Sequence, residues 1–600
     1  MIEFLTNNFV PLMFVGLVVF LLAGFPVAFS LAATGLFFGL IGMELGLFPV
    51  NLFHALPLRV FGIMQNDTLL AIPFFTLMGI ILERSRMAED LLETVGQVFG
   101  PVRGGLGIAV ILVGALLAAT TGVVAASVIS MGLIALPIML RYGYNRTIAT
   151  GTITASGTLA QALPPSLVLI VLADQLGRSV GDMYAGALIP GLMLVGLYLL
   201  FVIGVALFKP SWVPALPPEA RIYSEPSGAS GHKSLVVLLS IATLAGVAWA
   251  QVHESFINPM MNRTGEAPRD EVMILAMSAG SFVAFTLALI NKTLRLGLFS
   301  RLTERVTFAL IPPLVLIFLV LGTIFLGWAT PTEGGAMGAI GALILAGFRG
   351  TLNFKMLMQA LENSTKLAIF VLFILIGSTV FSFTFNAADG HIWVEHLFDK
   401  LPGGQMGFLI FVNFLVFVLG FFIDFFEIAF IVIPLLAPVA EKMDINLIWF
   451  GVLLAMNLQT SFLTPPFGFA LFYLRSVAAR NDYTDEVTGK RIPAVTTAQI
   501  YKGSIAFIIL QIIMVAVILF NPKLVTGSLV APVEVDAEAV RQQLMDMGGG
   551  GGDSWGNENP WGDEEAAPAE EGQGEPAAEG EAAEDDPAKA MEEALRRSAE

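Results

Sequence analysis

The sequence predicts an all-α integral membrane protein with about 12 transmembrane helices, two re-entrant helical hairpins and two discontinuous helices arranged as an inverted repeat. Three observations support this fold class. Of the 600 residues, 56% are hydrophobic and only 13% are charged, whereas a soluble chain has about 25% charged residues. Many apolar stretches are long enough to cross a bilayer. A pattern of interrupted apolar segments also occurs twice.

The individual spans follow from the need for about 20 apolar residues to cross the hydrocarbon core. We predict spans near residues 3–22, 25–45, 69–83, 147–172, 183–208, 234–252, 272–291, 306–326, 329–348, 365–385, 447–473 and 503–520. Two further apolar segments, 105–140 and 407–440, are too long for one crossing and have small or polar residues at their middles. Each predicts a hairpin that enters and leaves on one side, a shape tolerated where its turn is buried in protein or lines water.

The net charge of -17 is concentrated at the C-terminal end. Residues 533–600 contain 20 Asp and Glu against four Lys and Arg, so residues 1–532 keep 28 acids and 27 bases. The segment 531–600 is rich in Gly, Ala, Pro and Glu, which predicts a disordered acidic tail. The nearly neutral remainder has no basic stripe, and nucleic-acid binding is therefore disfavoured.

Basic residues in the loops predict the orientation of the spans. With the N-terminus outside and both long segments re-entrant, the cytoplasmic loops hold 19 Lys and Arg and the outer loops hold six. The N-terminus and the acidic tail are then both expected outside the cytoplasm. The first residues lack the positive n-region of a cleaved signal peptide, so the first apolar segment is expected to remain as a span.

An internal repeat is the most informative pattern in the sequence. Pro164-Pro165 and Pro465-Pro466 each follow a polar cluster inside an apolar span, at an offset of 301 (465 minus 164). Tyr184-Ala-Gly186 and Tyr501-Lys-Gly503 open the next helix in each half. Because the two hairpins are predicted on opposite sides, the halves form an inverted repeat.

This repeat divides the chain into four parts. Residues 1–208 form the first repeat, with its broken helix at 147–172, and residues 306–530 form the second, with its broken helix at 447–473. Residues 209–305 connect them through two extra spans. The acidic tail follows.

Each Pro-Pro pair interrupts a helix, because proline lacks the backbone N–H and forces the preceding residue out of helical conformation. A simple proline kink is one interpretation. The duplicated hydroxyl and amide residues favour another, in which freed carbonyls coordinate a cation while half-helix N-termini face an anion. The positions suited to Na+ by their hydroxyl oxygens or by close approach are Ser156, Gly157, Thr158, Thr460, Ser461 and Thr464.

Three carboxylates in or beside apolar segments need an explanation. Asp424 and Glu427 lie on one helix face at i, i+3. They could coordinate or gate a cation, as charges within membranes commonly do, or they could lie at a hydrated hairpin tip or pair with bases. Glu333, in Ala329-Thr-Pro-Thr-Glu333, is expected to cap a helix N-terminus.

Enzyme activity is not predicted. The five histidines are predicted to lie in loops, which leaves no intramembrane Ser-His dyad. The chain has no cysteine, no HExxH zinc motif and no GxxxxGK[ST] phosphate loop. Segments 104–140, 147–172 and 447–474 contain no Lys or Arg. A carboxylate substrate would therefore be held by dipoles, hydroxyls, amides and bound cations, or by a side chain outside these segments.

The interrupted segments resemble the large membrane subunit of tripartite ATP-independent periplasmic (TRAP) transporters, the DctM-like family, over about residues 1–530. The resemblance rests on Ala329-Thr-Pro-Thr-Glu333, Leu163-Pro-Pro-Ser166, Ile189-Pro-Gly191, Asn457-Leu-Gln459 and Leu463-Thr-Pro-Pro-Phe-Gly468. The stretch Gly420–Phe430 and the long middle region resemble the enlarged branch described for mannitol or chloroaromatic compounds. The chain departs from many relatives at Gln459-Thr-Ser-Phe, where they have Gln-Ile-Gly.

The resemblance implies a multi-pass secondary transporter of the bacterial inner membrane, of the ion transporter superfamily and working by an elevator motion. It implies three partners: an organic anion, a soluble periplasmic solute-binding protein that delivers it, and a small DctQ-like membrane subunit. Since the connecting region adds only two spans and the small subunit should bring about four, we expect that subunit as a separate chain. Na+ is the implied coupling ion, and no other cofactor is expected.

The resemblance also implies two Na+ sites, each where a hairpin tip meets its broken helix. The first is carried to Thr121, Gly122, Ser127, Ser156, Gly157 and Pro164, and the second to Gly420, Asp424, Thr460, Ser461 and Thr464. The candidate substrate-binding residues are Thr158, Ser166, Glu427, Asn457 and Gln459. A membrane channel or a non-transporting scaffold subunit is the alternative, because some channels also contain re-entrant loops.

Overall fold

The computed structural model describes residues 2–223, 231–261, 267–399 and 401–529. The predicted acidic tail, 531–600, lies outside them. The helices, in chain order, are α1 (Ile2–Asn7), α2 (Phe9–Leu22), α3 (Val27–Glu44), α4 (Leu56–Met64), α5 (Ala71–Arg84), α6 (Met87–Phe99), α7 (Gly105–Thr121), α8 (Val124–Arg141), α9 (Arg146–Thr158), α10 (Leu167–Gln175), α11 (Val180–Phe208), α12 (His232–Met260), α13 (Arg269–Leu294), α14 (Arg301–Phe325), α15 (Pro331–Phe348), α16 (Phe354–Ala387), α17 (Gly390–Asp399), α18 (Gly404–Leu419), α19 (Phe425–Lys442), α20 (Leu447–Leu463), α21 (Phe469–Val477), α22 (Thr497–Phe520) and α23 (Lys523–Thr526). Two short antiparallel strands, β1 (Tyr483–Thr484) and β2 (Arg491–Ile492), join α21 to α22.

The fold is helical, as predicted, but the number of spans differs from the predicted count. Within the described ranges, eight helices are long and apolar enough to cross a membrane, or nine if the pair Leu52–Met64 and Asp67–Arg84, bent by 45°, is one span. Several predicted spans are divided into shorter helices, as 447–473 is into α20 and α21. The count of about 12 therefore stays a prediction.

The order of helix pair, interrupted helix and closing helix occurs twice. The long apolar segments 105–140 and 407–440 each form two helices, α7–α8 and α18–α19. Each pair is followed by an interrupted helix, α9–α10 and α20–α21, and then by a long helix, α11 and α22. The first pair turns at Gly122, whose φ of 62° is a conformation that glycine adopts without steric cost.

The two sets of helices interlock. The second half of each interrupted helix packs against the outgoing arm of the other set's hairpin: α10 on α19, and α21 on α8. Each closing helix also packs on the other set's interrupted helix, α11 on α20 and α22 on α9. These eight helices and the incoming hairpin arms α7 and α18 therefore form one core, to which both sets contribute.

The glycines of the duplicated Tyr-x-Gly motif allow these crossings. A Cβ on Gly503 would lie 2.4 Å from the carbonyl oxygen of Thr147 in α9, and one on Gly186 would lie 3.1 Å from Ile448 Cγ2 in α20. Both glycines thus let a closing helix approach the opposite interrupted helix closely. In membranes, such small residues are what permits tight helix packing.

A second group of helices packs beside this core. The 34-residue helix α16 packs along α3, and α15 packs along α5. Glycines bring α3 and α16 together, since a Cβ on Gly35 would lie 2.6 Å from the carbonyl oxygen of Val380, and one on Gly377 would lie 2.3 Å from that of Ala28. The two extra spans, predicted at 234–252 and 272–291, form the longer helices α12 and α13, which pack on each other and on α14.

The prediction that all five histidines lie in loops is wrong. His54 lies in a 3-10 helix, His232 and His253 lie in α12, and His391 and His396 lie in α17. For His253 the cause is helix length, since α12 continues to Met260 although the apolar window ends near residue 252. His253 is fully buried, and its Nε2 lies 2.8 Å from Glu271 Oε1 of α13.

Candidate functional site

The two interruptions have the same chemical cause. After α9 and a 3-10 turn at Leu159–Gln161, the chain passes through Pro164-Pro165 before α10 begins at Leu167. After α20, it passes through Pro465-Pro466 before α21 begins at Phe469. The Pro164-Pro165 and Pro465-Pro466 peptide bonds are cis. Prolines donate no backbone hydrogen bond, so each interruption leaves helix-end carbonyls behind it and a helix N-terminus ahead of it.

The first candidate Na+ site lies where the α7–α8 hairpin meets the first interruption. A Cβ on Gly122, at the hairpin turn, would lie 3.2 Å from Leu167 Cγ, at the start of α10. One on Gly157 would lie 3.1 Å from the backbone nitrogen of Val128 in α8, and one on Gly114 of α7 would lie 2.7 Å from Ser156 Oγ. The turn is therefore adjacent to the interruption and the arms are tightly packed on α9.

The other residues assigned to this site follow the same interface. Ser127, at 1% exposure, lies on α8, and Pro164 lies in the interruption itself. The side chain of Thr121 is outside the described part of the chain, so only its backbone position at the end of α7 is known.

The second candidate Na+ site has the same construction. A Cβ on Gly420, at the end of α18, would lie 2.7 Å from Ser461 Oγ of α20. At the tip of the hairpin, the ring of Phe422 lies 5.3 Å from that of Phe467 in the interruption, measured between centroids. Thr464 is the C-terminal cap of α20, and its backbone N–H donates to the Ser461 carbonyl.

Four hydroxyl groups of the two sites donate to backbone carbonyls three or four residues earlier in the chain. Ser156 Oγ donates to the Ile153 carbonyl over 3.0 Å and Ser461 Oγ to the Asn457 carbonyl over 3.3 Å. Thr460 and Thr464 donate to the carbonyls of Met456 and Thr460. A hydroxyl that donates its proton still has oxygen lone pairs. These oxygens can therefore serve as hard ligands for a cation such as Na+.

Asp424 and Glu427 form a capping box at the start of α19. Asp424 Oδ1 accepts from the Phe425 N–H over 2.7 Å, and the Asp424 N–H donates to Glu427 Oε2 over 3.1 Å. Neither carboxylate forms an ion pair with a Lys or Arg of the described ranges. The capping role explains why both residues occur at i, i+3. It also leaves carboxylate oxygens beside the second interruption.

The predicted capping role of Glu333 is confirmed. Thr330 and Glu333 form a capping box at the start of α15, in which the Thr330 N–H donates to Glu333 Oε2 over 2.8 Å.

The centre of the core holds a buried polar cluster between the two interrupted helices. Gln459 Nε2 donates to Thr158 Oγ1 over 3.3 Å and to the Tyr198 hydroxyl over 3.4 Å, and Gln511 Nε2 donates to the same hydroxyl over 2.8 Å. All four side chains are at most 1% exposed. The Oε1 atoms of Gln459 and Gln511 have no hydrogen-bond partner within the described ranges.

Sequence reasoning found Thr158 and Gln459 but missed Tyr198 and Gln511. The missed residues lie in the closing helices α11 and α22. Each is a polar side chain in the middle of an apolar span, and this isolation is the signal that could have identified them. The cluster therefore joins both interrupted helices to both closing helices.

The remaining candidate substrate-binding residues lie apart from this cluster. Asn457 Nδ2 donates to the Asn413 carbonyl of α18 over 2.5 Å, and Ser166 Oγ donates to the Gln161 carbonyl over 3.0 Å. Glu427 belongs to the capping box of α19. Of the five, the structure thus brings only Thr158 and Gln459 into direct contact.

Comparison with known proteins gives a match over most of the chain. Residues 14–524 match the family model described as tripartite ATP-independent periplasmic transporter, DctM component. The chain is 26% identical over 432 residues to the C4-dicarboxylate TRAP transporter large permease protein DctM of Pseudomonas aeruginosa, which covers 72% of this chain and 82% of that protein.

Two further relatives are named for other solutes. The chain is 24% identical over 458 residues to the sialic acid TRAP transporter large permease protein SiaM of Vibrio cholerae, covering 76% of this chain and 87% of that one. It is 22% identical over 469 residues to the isethionate TRAP transporter permease protein DctMQ of Oleidesulfovibrio alaskensis, covering 78% of this chain and 60% of that one.

Proposed function

Because the chain belongs to the DctM component family of tripartite ATP-independent periplasmic transporters, we propose that it is the large permease subunit of such a transporter and imports an organic anion with Na+. The observation that carries this proposal is the duplicated junction of hairpin turn and interrupted helix. Each junction combines close-approach glycines, Gly122 or Gly420, with a serine or threonine hydroxyl and the carbonyls of a helix end.

Na+ fits these junctions by the chemistry of their oxygens. Hard cations prefer hydroxyl, carbonyl and carboxylate oxygens, and no group of three or more His, Asp or Glu side chains that could hold a metal ion occurs in the described ranges. The first site would use Ser156 and carbonyls around the first interruption, and the second would add Thr464 and the Asp424 carboxylate. Two Na+ ions that cross the membrane together with one anion would also neutralise the negative charge of that anion.

An organic anion is the substrate class that suits the centre of the core. The helices α10 and α21 begin at the two interruptions. Helix N-termini favour negative charge, so each interruption offers a place for an anion. Gln459 Nε2 could donate to a carboxylate there in place of the Tyr198 hydroxyl. Thr158 Oγ1 donates to the Ala155 carbonyl over 2.9 Å and would have to release that bond to do the same. The relatives are named for C4-dicarboxylates, sialic acid and isethionate, which are all organic acids or their anions. The particular solute of this chain, and its place in the mannitol and chloroaromatic branch, stay predictions.

An elevator motion suits the division of helices. In this proposal, the interlocked core of both hairpins, both interrupted helices and both closing helices moves as one body. The helices α3, α5, α15 and α16, which pack against one another beside it, form the frame. The motion would carry both junctions and the central cluster across the membrane together, which is the alternating access that inverted repeats support.

The partners follow from the same family. A solute-binding protein would deliver the anion at the periplasmic side, and a small DctQ-like membrane subunit would pack on the frame. The DctMQ name of the Oleidesulfovibrio relative joins the two membrane components in one permease protein. For this chain we propose a separate small subunit, because α12 and α13 supply only two additional long helices. The N-terminus and the acidic tail are proposed to lie in the periplasm.

Uptake in proteoliposomes tests the proposal. The chain is reconstituted with its small subunit and binding protein, and uptake of the bound solute is measured with and without an inward Na+ gradient. We expect saturable uptake that requires the gradient. Undiminished uptake without a gradient of Na+ or any other ion would contradict the coupling, and single-channel currents or uptake without saturation would favour the channel alternative.

A further inference from the structure

An exposed apolar groove lies along α13, α14 and α15. Its volume is about 680 Å³, and its walls include Phe285 of α13, Phe308 and Leu319 of α14, and Met337 and Ile340 of α15. Ile340 is 58% exposed, so the groove opens to the surroundings of the helices. One lining residue, Phe285, comes from α13, a helix of the extra pair, so the groove borders the region that the repeats do not explain.

One end of the groove is basic. Arg349 lines it directly, and Lys292 Nζ lies 4.5 Å from the centroid of the Phe308 ring in the groove wall. Lys292 has no carboxylate partner in the described ranges. Arg349 and Arg305 share the single carboxylate of Asp90, the Arg305 Nη2 to Asp90 Oδ1 distance being 3.7 Å. Glu304, whose Oε1 accepts from Asn291 Nδ2 over 2.6 Å, is a second carboxylate at this end. Lys292, Arg305 and Arg349 thus still outnumber Asp90 and Glu304.

The length of the groove matches one leaflet of a bilayer. Phe308 and Leu319 are 11 residues apart in α14 (319 minus 308), which is about 16 Å along a helix. The hydrocarbon core is about 30 Å thick, so one leaflet contributes about 15 Å. The groove therefore begins at the basic helix ends and finishes near the middle of the membrane. A partner helix that crossed the membrane would need a contact surface of twice this length.

We propose that this groove binds one acyl chain of an anionic phospholipid, whose phosphate is held by Lys292 and Arg349. The basic end belongs to the loops that the positive-inside rule places in the cytoplasm, so the lipid comes from the cytoplasmic leaflet. That leaflet carries anionic lipids, which basic residues at the membrane surface attract. The inference rests on membrane insertion and is independent of which solute or ion is transported.

The test measures lipid binding to the purified full-length chain by native mass spectrometry. Phosphatidylglycerol, phosphatidylethanolamine and soluble glycerol 3-phosphate are added separately. We expect preferential binding of phosphatidylglycerol, and we expect Lys292→Gln to weaken it about fivefold, since one surface cation near an anionic lipid contributes about that factor. Lys355→Gln, at an exposed lysine that does not line the groove, is the matched control and should leave the affinity unchanged.

A second pair of variants tests the groove itself. Ile340→Trp fills it and should abolish retention of phosphatidylglycerol, whereas Ile369→Trp, at an equally exposed position of α16 outside the groove, should not. Equal effects of Lys292→Gln and Lys355→Gln would overturn the headgroup assignment. If glycerol 3-phosphate bound as tightly as phosphatidylglycerol and still bound to the Ile340→Trp variant, the ligand of this site would be a free anion and not a lipid.

The absence of cysteine from the chain allows a direct test of a protein occupant. The variant Ile344→Cys, at a groove residue that is 52% exposed, is treated with a thiol crosslinker in native membranes. Efficient crosslinking to the small membrane subunit would overturn the lipid proposal, and labelling by a lipid-soluble thiol reagent without a protein adduct would support it.

Discussion

Gln459 Nε2 donates a hydrogen bond to Thr158 Oγ1, and the two residues are 301 residues apart, the same offset that separates Pro164 from Pro465. They therefore occupy the same position in the two halves of the chain. Equivalent positions of two related halves can touch only near the axis that relates them. This bond therefore marks the axis of the proposed repeat.

Removal of the Tyr198 hydroxyl should weaken the centre of the core. Tyr198→Phe leaves Gln511 Nε2 without its acceptor and Gln459 with only Thr158, so we expect a loss of about 1–3 kcal/mol of stability, the cost of an unsatisfied buried donor. Thermal unfolding in detergent measures the loss. Tyr142→Phe is the control, because the Tyr142 hydroxyl has no hydrogen bond in the described structure. An equal loss in both variants would contradict the role of the cluster.

Alanine at Gly420 should disrupt the second junction. Its Cβ would lie 2.7 Å from Ser461 Oγ, so backbone or side chain must shift, at a typical cost of about 1–3 kcal/mol. Uptake should fall by about an order of magnitude or more. In Gly196→Ala of α11 the new Cβ meets nothing within 4 Å, and uptake should stay normal. Comparable uptake by the two variants would show that close approach at Gly420 is not needed.

Loss of a hydroxyl at either junction should weaken Na+ dependence. For Ser156→Ala and Thr464→Val we expect the Na+ concentration for half-maximal uptake to rise about tenfold or more, because bonds to charged groups contribute about 1.5–3 kcal/mol. The control is Thr243→Val in α12, which removes a hydroxyl that also donates to a backbone carbonyl one turn earlier but lies in neither junction. If neither junction variant differs from Thr243→Val, these residues do not bind Na+.

Two substitutions of Asp424 separate capping from cation binding. Asparagine caps a helix as well as aspartate, whereas alanine costs about 1 kcal/mol. We therefore expect Asp424→Asn to keep the melting temperature but lower the apparent Na+ affinity, and Asp424→Ala to lower both. Unchanged Na+ dependence in Asp424→Asn would leave the carboxylate with the capping role alone.

The ion pair of Arg141 and Asp485 should give a dependence of stability on acid pH. Asp485 lies in the loop before α22, is 4% exposed, and is 2.8 Å from Arg141 Nε. Burial raises the pKa of this carboxyl, but hydrogen bonds from the Thr488 hydroxyl and backbone and the Arg141 guanidinium outweigh it and lower the pKa below its ordinary 3.8.

The sign of this effect follows from the lowered pKa. The stabilisation is present above the ordinary pKa and is lost as the pH falls through the lower folded value, so the melting temperature should drop between about pH 5 and pH 3. Asp485→Asn should lose stability at neutral pH and show a smaller drop. Glu486→Gln, at the exposed neighbour, should behave as the unchanged protein does. Identical acid profiles for the protein and Asp485→Asn would contradict the assignment.

The sequence predicts the interrupted elements better than the polar ones. The helices α9 and α20 end before their Pro-Pro pairs as predicted. Pro-Pro alone does not decide this, because Pro312-Pro313 lies inside the continuous helix α14. The polar cluster that precedes each interrupting pair is the distinguishing signal. Hydropathy does not detect α6, because its first turn contains Glu89 and Asp90 although Leu91 and Leu92 are buried. Hydropathy measures transfer into lipid, and a helix that packs on protein with one polar face gives little signal.

The chemistry of the site was only partly predictable. That Asp424 and Glu427 share one helix face follows from their spacing, but their mutual capping depends on where α19 begins. Tyr198 and Gln511 lie 313 residues apart and meet only through the crossing of α11, α20 and α22. Such contacts depend on how the helices cross, which no local sequence pattern indicates.

The length of α16 sets a relation between this protein and the thickness of its bilayer. Its 34 residues extend about 51 Å. A tilt of about 40°, near the largest common in membrane helices, still leaves a projection of about 39 Å against a hydrocarbon core of about 30 Å. The helix must therefore extend beyond the hydrocarbon core, and the charged residues Lys355, Glu362 and Lys366 mark its N-terminal end. Since α16 is packed closely on α3 through Gly35 and Gly377, a thicker or thinner membrane would be expected to change the tilt of both helices together.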